Sequence, residues 1–177
     1  MNTGRKILIA YFSRKGENYV SGKIRQLSKG NTEVVAEKIR EFTGGELFEI
    51  KAINAYPDNY EKATEIARQE LLENARPVLT DSVKNMEQYD TIFLGYPIWW
   101  DTFPMPVFTF LESYNFAGKT ILPFCTHEGS GKGTSIQDIK RLCPEANVLP
   151  CLVIRGGSVE KSDSLIHAWL EKIKPLL

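Results

Sequence analysis

The sequence predicts an α/β chain in three layers, a five-stranded parallel sheet with helices on both faces. Short apolar runs rich in branched residues, the mark of strands buried on both sides, alternate with stretches whose apolar residues recur every three or four positions. Glycine, proline and asparagine punctuate the boundaries between the two kinds. No internal repeat or low-complexity tract breaks this alternation, which implies right-handed crossovers between parallel strands.

The first strand is the run Ile7, Leu8, Ile9, Ala10, Tyr11, Phe12, which stops at Ser13. Between Lys15 and Gly30, the residues Tyr19, Val20, Ile24 and Leu27 flank Ser21 and Gly22, the pattern of a short hairpin with a tight turn. Past Gly30, Asn31 and Thr32, the spacing of Val35, Ile39 and Phe42 gives the first helix, which Gly44 and Gly45 stop. Glu46 to Ile50 is the second strand, and its two glutamates suit an edge. Asn54 to Asp58 is a loop. Asp58, Asn59, Tyr60, Glu61 then has the spacing of a capping box, and Tyr60, Ala63, Ile66, Ala67 and Leu71 form one apolar stripe of a helix ending near Arg76.

Thr91 to Leu94 runs apolar into Gly95, Tyr96 and Pro97 as a central strand, followed by a loop through Ile98, Trp99, Trp100 and Asp101. A helix from Phe103 to Ser113 begins near Pro104 and Pro106, where proline fits a first turn. The fourth strand, Thr120 to Thr126, carries Pro123, and the missing donor predicts a bulge there. A glycine-rich stretch from His127 to Ser135 leads into a helix marked by Ile136, Ile139 and Leu142. The fifth strand, Val148 to Ile154, contains Pro150, which an edge position tolerates. Leu165, Ile166, Trp169, Leu170 and Ile173 make the apolar face of a last helix.

The 177 residues suit one domain spanning 1–177, with 42% hydrophobic and 25% charged residues as in ordinary globular chains. Basic and acidic side chains number 22 each, so no global field draws the chain to nucleic acid or to an anionic membrane. No apolar run reaches the roughly 18 residues of a membrane span, and Met1 to Lys6 leads into a strand without a small-residue cleavage site; the expected location is cytoplasmic. Three cysteines, Cys125, Cys143 and Cys151, with no C-x-x-C pair, argue against a disulfide framework and against a metal site. Cys125 reads as a buried inert thiol.

In a sheet of this kind ligands bind at the carboxyl ends of strands, where the strand order reverses. Three loops therefore gather the chemistry: Ser13 to Thr32, Pro97 to Thr102, and Thr126 to Gly133. The first is an anion site, because the opening turn of a helix presents N–H groups without intrahelical partners and the positive end of the peptide dipoles. Ser13, Asn31 and Thr32 add side-chain donors there; a plain helix cap and a plain strand end are the competing readings. The second loop offers the flat faces of Trp99 and Trp100, for which core packing is the alternative. The third offers glycines through which backbone N–H groups approach a ligand. Phosphate, flat ring and polar ring edge together describe flavin mononucleotide, FMN.

The order Tyr11-Phe12-Ser13, Gly30-Asn31-Thr32, Gly95-Tyr96-Pro97-Ile98-Trp99-Trp100, Phe124-Cys125-Thr126 resembles the flavodoxins, over Lys6 to Ile173. The resemblance implies a flavodoxin-like strand order of 2-1-3-4-5 in its short-chain form, bound FMN, and electron transfer. It assigns the phosphate to Ser13, Asn31 and Thr32, with Lys15 beside it. Pro97, Ile98, Trp99 and Trp100 then flank the ring, and Thr126, His127, Glu128, Gly129 and Gly131 line its other edge. Three features depart from the family pattern. The phosphate loop is split by a fourteen-residue insert, Gly16 to Lys29; Arg14 and Lys15 place cations beside the phosphate; and the net charge is zero where many flavodoxins are acidic.

The expected function is an FMN-binding electron carrier serving larger redox proteins, a reductase and an acceptor, or a small-molecule acceptor. The alternatives are an FMN-dependent NAD(P)H:quinone-type reductase and a flavin-less partner-binding domain. No catalytic proton-transfer pair is required, because the flavin carries the redox chemistry. A response regulator does not fit, since Ser13, Arg14 and Lys15 follow the first strand where a magnesium site wants carboxylates.

Overall fold

The computed structural model describes residues 6–176. Strand β1 (Lys6–Tyr11) runs parallel to β4 (Glu46–Glu49) on one side and to β5 (Tyr89–Pro97) on the other. Strand β6 (Thr120–His127) follows beside β5, and the far edge is made in two pieces, β7 (Asn147–Val148) and β8 (Leu152–Arg155), both parallel to β6. Counting those two pieces as one and leaving aside the hairpin described below, the order is 2-1-3-4-5, and the glutamate-bearing strand is an edge.

Alternation along β1 shows why the strands read as continuous apolar runs. Leu8, Ala10 and Phe12 join one cluster with Ile92, Leu94 and Ile121, while Ile9 and Tyr11 join the other with Phe93, Leu122 and Phe124. Each face is covered, so every position must be apolar. The first face lies under α3 (Met105–Glu112) and α4 (Ser135–Leu142), through residues such as Val107, Phe110 and Ile139. The second lies under α1 (Asn31–Thr43) and α5 (Asp163–Ile173), through Val35, Ile39, Ile166 and Trp169. Each fully buried Leu, Ile or Phe contributes about 1.5–3 kcal/mol.

Several expectations are corrected. No bulge occurs at Pro123: the β5–β6 register runs unbroken from Thr91↔Thr120 to Pro97↔Thr126. The Ile121 carbonyl accepts from Leu149 on the edge side, and Pro123, two residues on, turns its donorless nitrogen the same way, toward the break between β7 and β8. Pro150 sits in that break, so two prolines meet where neither breaks a ladder. Helix α2 (Tyr60–Leu72) ends four residues before Arg76 and is capped by Asn59, whose side chain accepts from the Lys62 N–H at 3.0 Å. Phe42, Ile66 and Leu165, read as core-facing, are exposed.

The insert forms an antiparallel hairpin, β2 (Gly16–Val20) and β3 (Lys23–Leu27), outside the main sheet. Among the described residues no helix is long and apolar enough to cross a membrane.

Candidate functional site

At the carboxyl ends of β1, β5 and β6 lies a cavity of about 130 Å³. Its polar end is the start of α1. The residue before that helix, Gly30, has no side chain to cap it, and Ser13 does so from the end of β1: its Oγ accepts from the Glu33 N–H at 3.0 Å. The Asn31 and Thr32 N–H groups have no intrahelical acceptor at this terminus. Both residues line the cavity with Ser13, at the positive end of the helix dipole. The floor is closed by a hydrogen bond of 2.8 Å between the buried hydroxyls of Thr32 and Thr126.

Opposite this end, Pro97, Ile98 and Trp99 form a wall. Trp99 is fixed edge-on to Phe12 at 5.3 Å and to Tyr56 at 5.1 Å, so its indole is a rigid surface and core packing at once. Trp99 and Thr102 exchange both backbone hydrogen bonds, which leaves Trp100 and Asp101 as the central residues of a two-residue turn. Both have positive φ, 50° and 71°, a conformation that costs such residues about 1–2 kcal/mol each. The turn is held from behind, because Thr134 N–H donates to the Asp101 carbonyl at 2.7 Å and Gly133 packs against the same oxygen. A Cβ on Gly133 would lie 2.0 Å from it.

Trp100, expected to flank the ring with Trp99, does not line this cavity; it lines a second one, of about 240 Å³, whose other wall is α2. Arg14, Asn18, Tyr60, Ile98 and Trp99 border both cavities, so the two form one cleft with a polar and an aromatic half.

His127 lines the first cavity, and its Nδ1 accepts from the N–H groups of Gly129 and Gly131 at 2.9 and 3.0 Å. Nδ1 is then unprotonated, and the neutral ring carries its proton on Nε2. Burial pushes the His127 pKa below 6.5, aided by Arg155 and opposed by Glu128. The expectation that Gly129 and Gly131 offer N–H groups to a ligand is corrected: those donors orient the histidine.

Glu128 borders the cavity as a clasp. Its two oxygens accept from Ser21 N–H in the hairpin turn at 3.0 Å and from Gly157 N–H at 2.9 Å, with Arg155 at 3.6 Å. On the hairpin's other side Glu17 accepts from Tyr60 N–H at 2.9 Å and from Asn59 at 3.0 Å. Arg14 donates to the carbonyls of Glu17, Pro57 and Asp58. Burial lowers the pKa of its guanidinium, and Asp58 and Glu17 oppose that. The insert is thus a roof, and Asn18 and Tyr19 on it reach the cavity. Lys15, expected beside the phosphate, does not line the cleft; it borders an adjoining groove that shares Ser13 and Arg14 with it, among Glu33, Glu49 and Lys51.

Sequence reasoning missed Glu17, Tyr19 and Tyr60 as site residues. Tyr60 read as one member of a helical stripe, and only the hairpin docked above it shows that its ring faces the cleft. Cys125, next to Thr126, points to the other side of the sheet, buried with its Sγ 3.9 Å from that of Cys151. The hydrogen bond with Cys151 and burial both push its thiol up, which keeps it protonated.

A comparison with curated proteins finds no significant match. Among solved structures, a candidate flavoprotein from Bacteroides eggerthii is 30% identical, with 97% of this chain and 99% of that one covered and a TM-score of 0.74. A candidate flavoprotein from Bacteroides uniformis is 27% identical over 93% of this chain and 99% of that one, with a TM-score of 0.69. A Lactobacillus acidophilus flavoprotein, solved in complex with FMN, shares the fold at 23% identity over 91% and 99% of the two chains, with a TM-score of 0.63. The flavodoxin family profile matches residues 6–173, nearly the whole described chain, and the chain belongs to the flavodoxin family.

Proposed function

We propose that this protein binds FMN in the cleft and transfers electrons between a reductase and an acceptor. The observation that carries this reading is the division of one cleft into an amide-and-hydroxyl end at the start of α1 and a rigid indole wall after β5. The donor chemistry fits the group: Ser13, Asn31 and Thr32 meet a phosphate, with the α1 amides supplying neutral N–H donors. Pro97, Ile98 and Trp99 meet a flat ring, and His127, which lines the same cavity, carries its proton on Nε2. Bound FMN supplies one- and two-electron redox chemistry. The residues around it set how readily negative charge is accepted: the indole and the buried surroundings oppose it, and Arg14, bonded only to carbonyls, favours it.

A second reading, an FMN-dependent NAD(P)H:quinone-type reductase, is favoured by the second cavity beside Trp99, which leaves room for a reactant next to the ring. The visible spectrum of the purified protein, before and after incubation with FMN and removal of free cofactor, tests the common part. Two flavin bands that stay with the protein are expected. A colourless protein that cannot be reconstituted would overturn the proposal in favour of a partner-binding domain. Steady NAD(P)H oxidation with a quinone by the loaded protein alone would replace the carrier with the reductase.

A further inference from the structure

We infer that the second cavity is a binding site for a planar quinoid ring, a reading that rests on FMN occupying the first. The cavity is a slot between two walls. On α2, Ala63, Thr64 and Ala67 present small side chains in successive turns, which leave a flat recess. Facing them are Ile98, Trp99 and Trp100.

The Trp100 side of the slot is held by specific contacts to α2. Trp100 is 45% exposed, yet it sits in a strained turn and is fixed at its edge and face: its indole N–H donates to the Thr64 carbonyl at 3.2 Å, and the Arg68 guanidinium lies 5.5 Å from its ring centre. A strained conformation persists only where the surroundings enforce it.

The chemistry of the walls selects the occupant. Indoles are electron-rich and stack on electron-poor rings. Tyr60 lines the slot and its hydroxyl has no hydrogen-bond partner among the described residues, so a donor stands ready for a ring carbonyl. Charge disfavours a nicotinamide dinucleotide. The nearest anion site, the start of α2, is already filled by the Glu17 carboxylate, which would repel a pyrophosphate.

The test is isothermal titration calorimetry of the oxidised, FMN-loaded protein with menadione, so that binding is read without turnover. Saturable one-to-one binding is expected, with the flavin spectrum showing FMN retained. Ala67→Phe, which fills the recess, is expected to weaken menadione at least tenfold. Trp100→Ala, a change at an exposed side chain that keeps the fold whatever the fate of the first variant, is expected to weaken it at least threefold. Oxidised NAD at the same concentration is expected to leave the titration unchanged. Absence of saturable binding, unchanged affinity in both variants, or release of FMN by menadione would overturn the proposal; competition by NAD would assign the slot to a dinucleotide instead. Failure of the FMN reading shows separately, as a protein without flavin bands before menadione is added.

Discussion

Thr32 and Thr126, ninety-four residues apart, share one hydroxyl–hydroxyl hydrogen bond of 2.8 Å beneath the cleft. It ties the start of α1 to the end of β6. Replacing Thr32 with Val removes a donor proposed for the FMN phosphate and leaves Thr126 unpaired in a buried place. FMN affinity is expected to fall by roughly 1.5–3 kcal/mol, a factor of ten to a hundred or more, as read by fluorescence titration. The double change Thr32→Val with Thr126→Val is expected to cost less fold stability than the two single changes summed, because neither hydroxyl is then orphaned. Additive denaturation energies would show that the pair is not coupled.

The two tryptophans are expected to separate by role. Trp99→Ala removes a partly buried side chain packed against Phe12 and Tyr56 and should destabilise the fold by about 2 kcal/mol or more in urea. Trp100→Ala keeps the Cβ and the backbone of the turn, removes only a half-exposed ring, and should stay within about 1 kcal/mol of the parent. Equal losses would mean that Trp100 is a core residue.

His127 gives a pH dependence of defined sign. Its folded pKa is lowered, chiefly by burial, so above pH 6.5 the ring is neutral in folded and unfolded chains and its contribution is fully present. As pH falls from 6.5 through the lowered folded value, the unfolded chain takes up the proton first and that stability is lost. Proton NMR titration should place the His127 midpoint below 6.5, and the stability difference between the parent and His127→Ala should shrink over that window. A midpoint above 6.5 would contradict the two hydrogen bonds to Nδ1.

Glu128→Ala should loosen the hairpin roof. Without the carboxylate, Ser21 and Gly157 lose their shared acceptor, and amide exchange at Ser21 should become faster by about tenfold, an opening easier by roughly 1.5 kcal/mol. Unchanged exchange would mean that the Glu17 and Arg14 contacts alone hold the hairpin.

The sequence by itself determined the parallel sheet and its covering helices, because a strand buried on both faces must be apolar at every position and a helix over it must repeat every three to four residues. It also pointed to Ser13, Asn31, Thr32, Trp99 and His127, since each sits beside a strand end or helix start that local pattern marks. What only the tertiary structure decided is how distant side chains share one another's polar groups. Gly129 and Gly131 donate inward to His127, Glu128 clasps the hairpin, and Lys15 lies in another groove. A side chain's partner is set by the packing of segments far apart in the chain, and spacing along the chain carries no record of which side of the roof a charge will face.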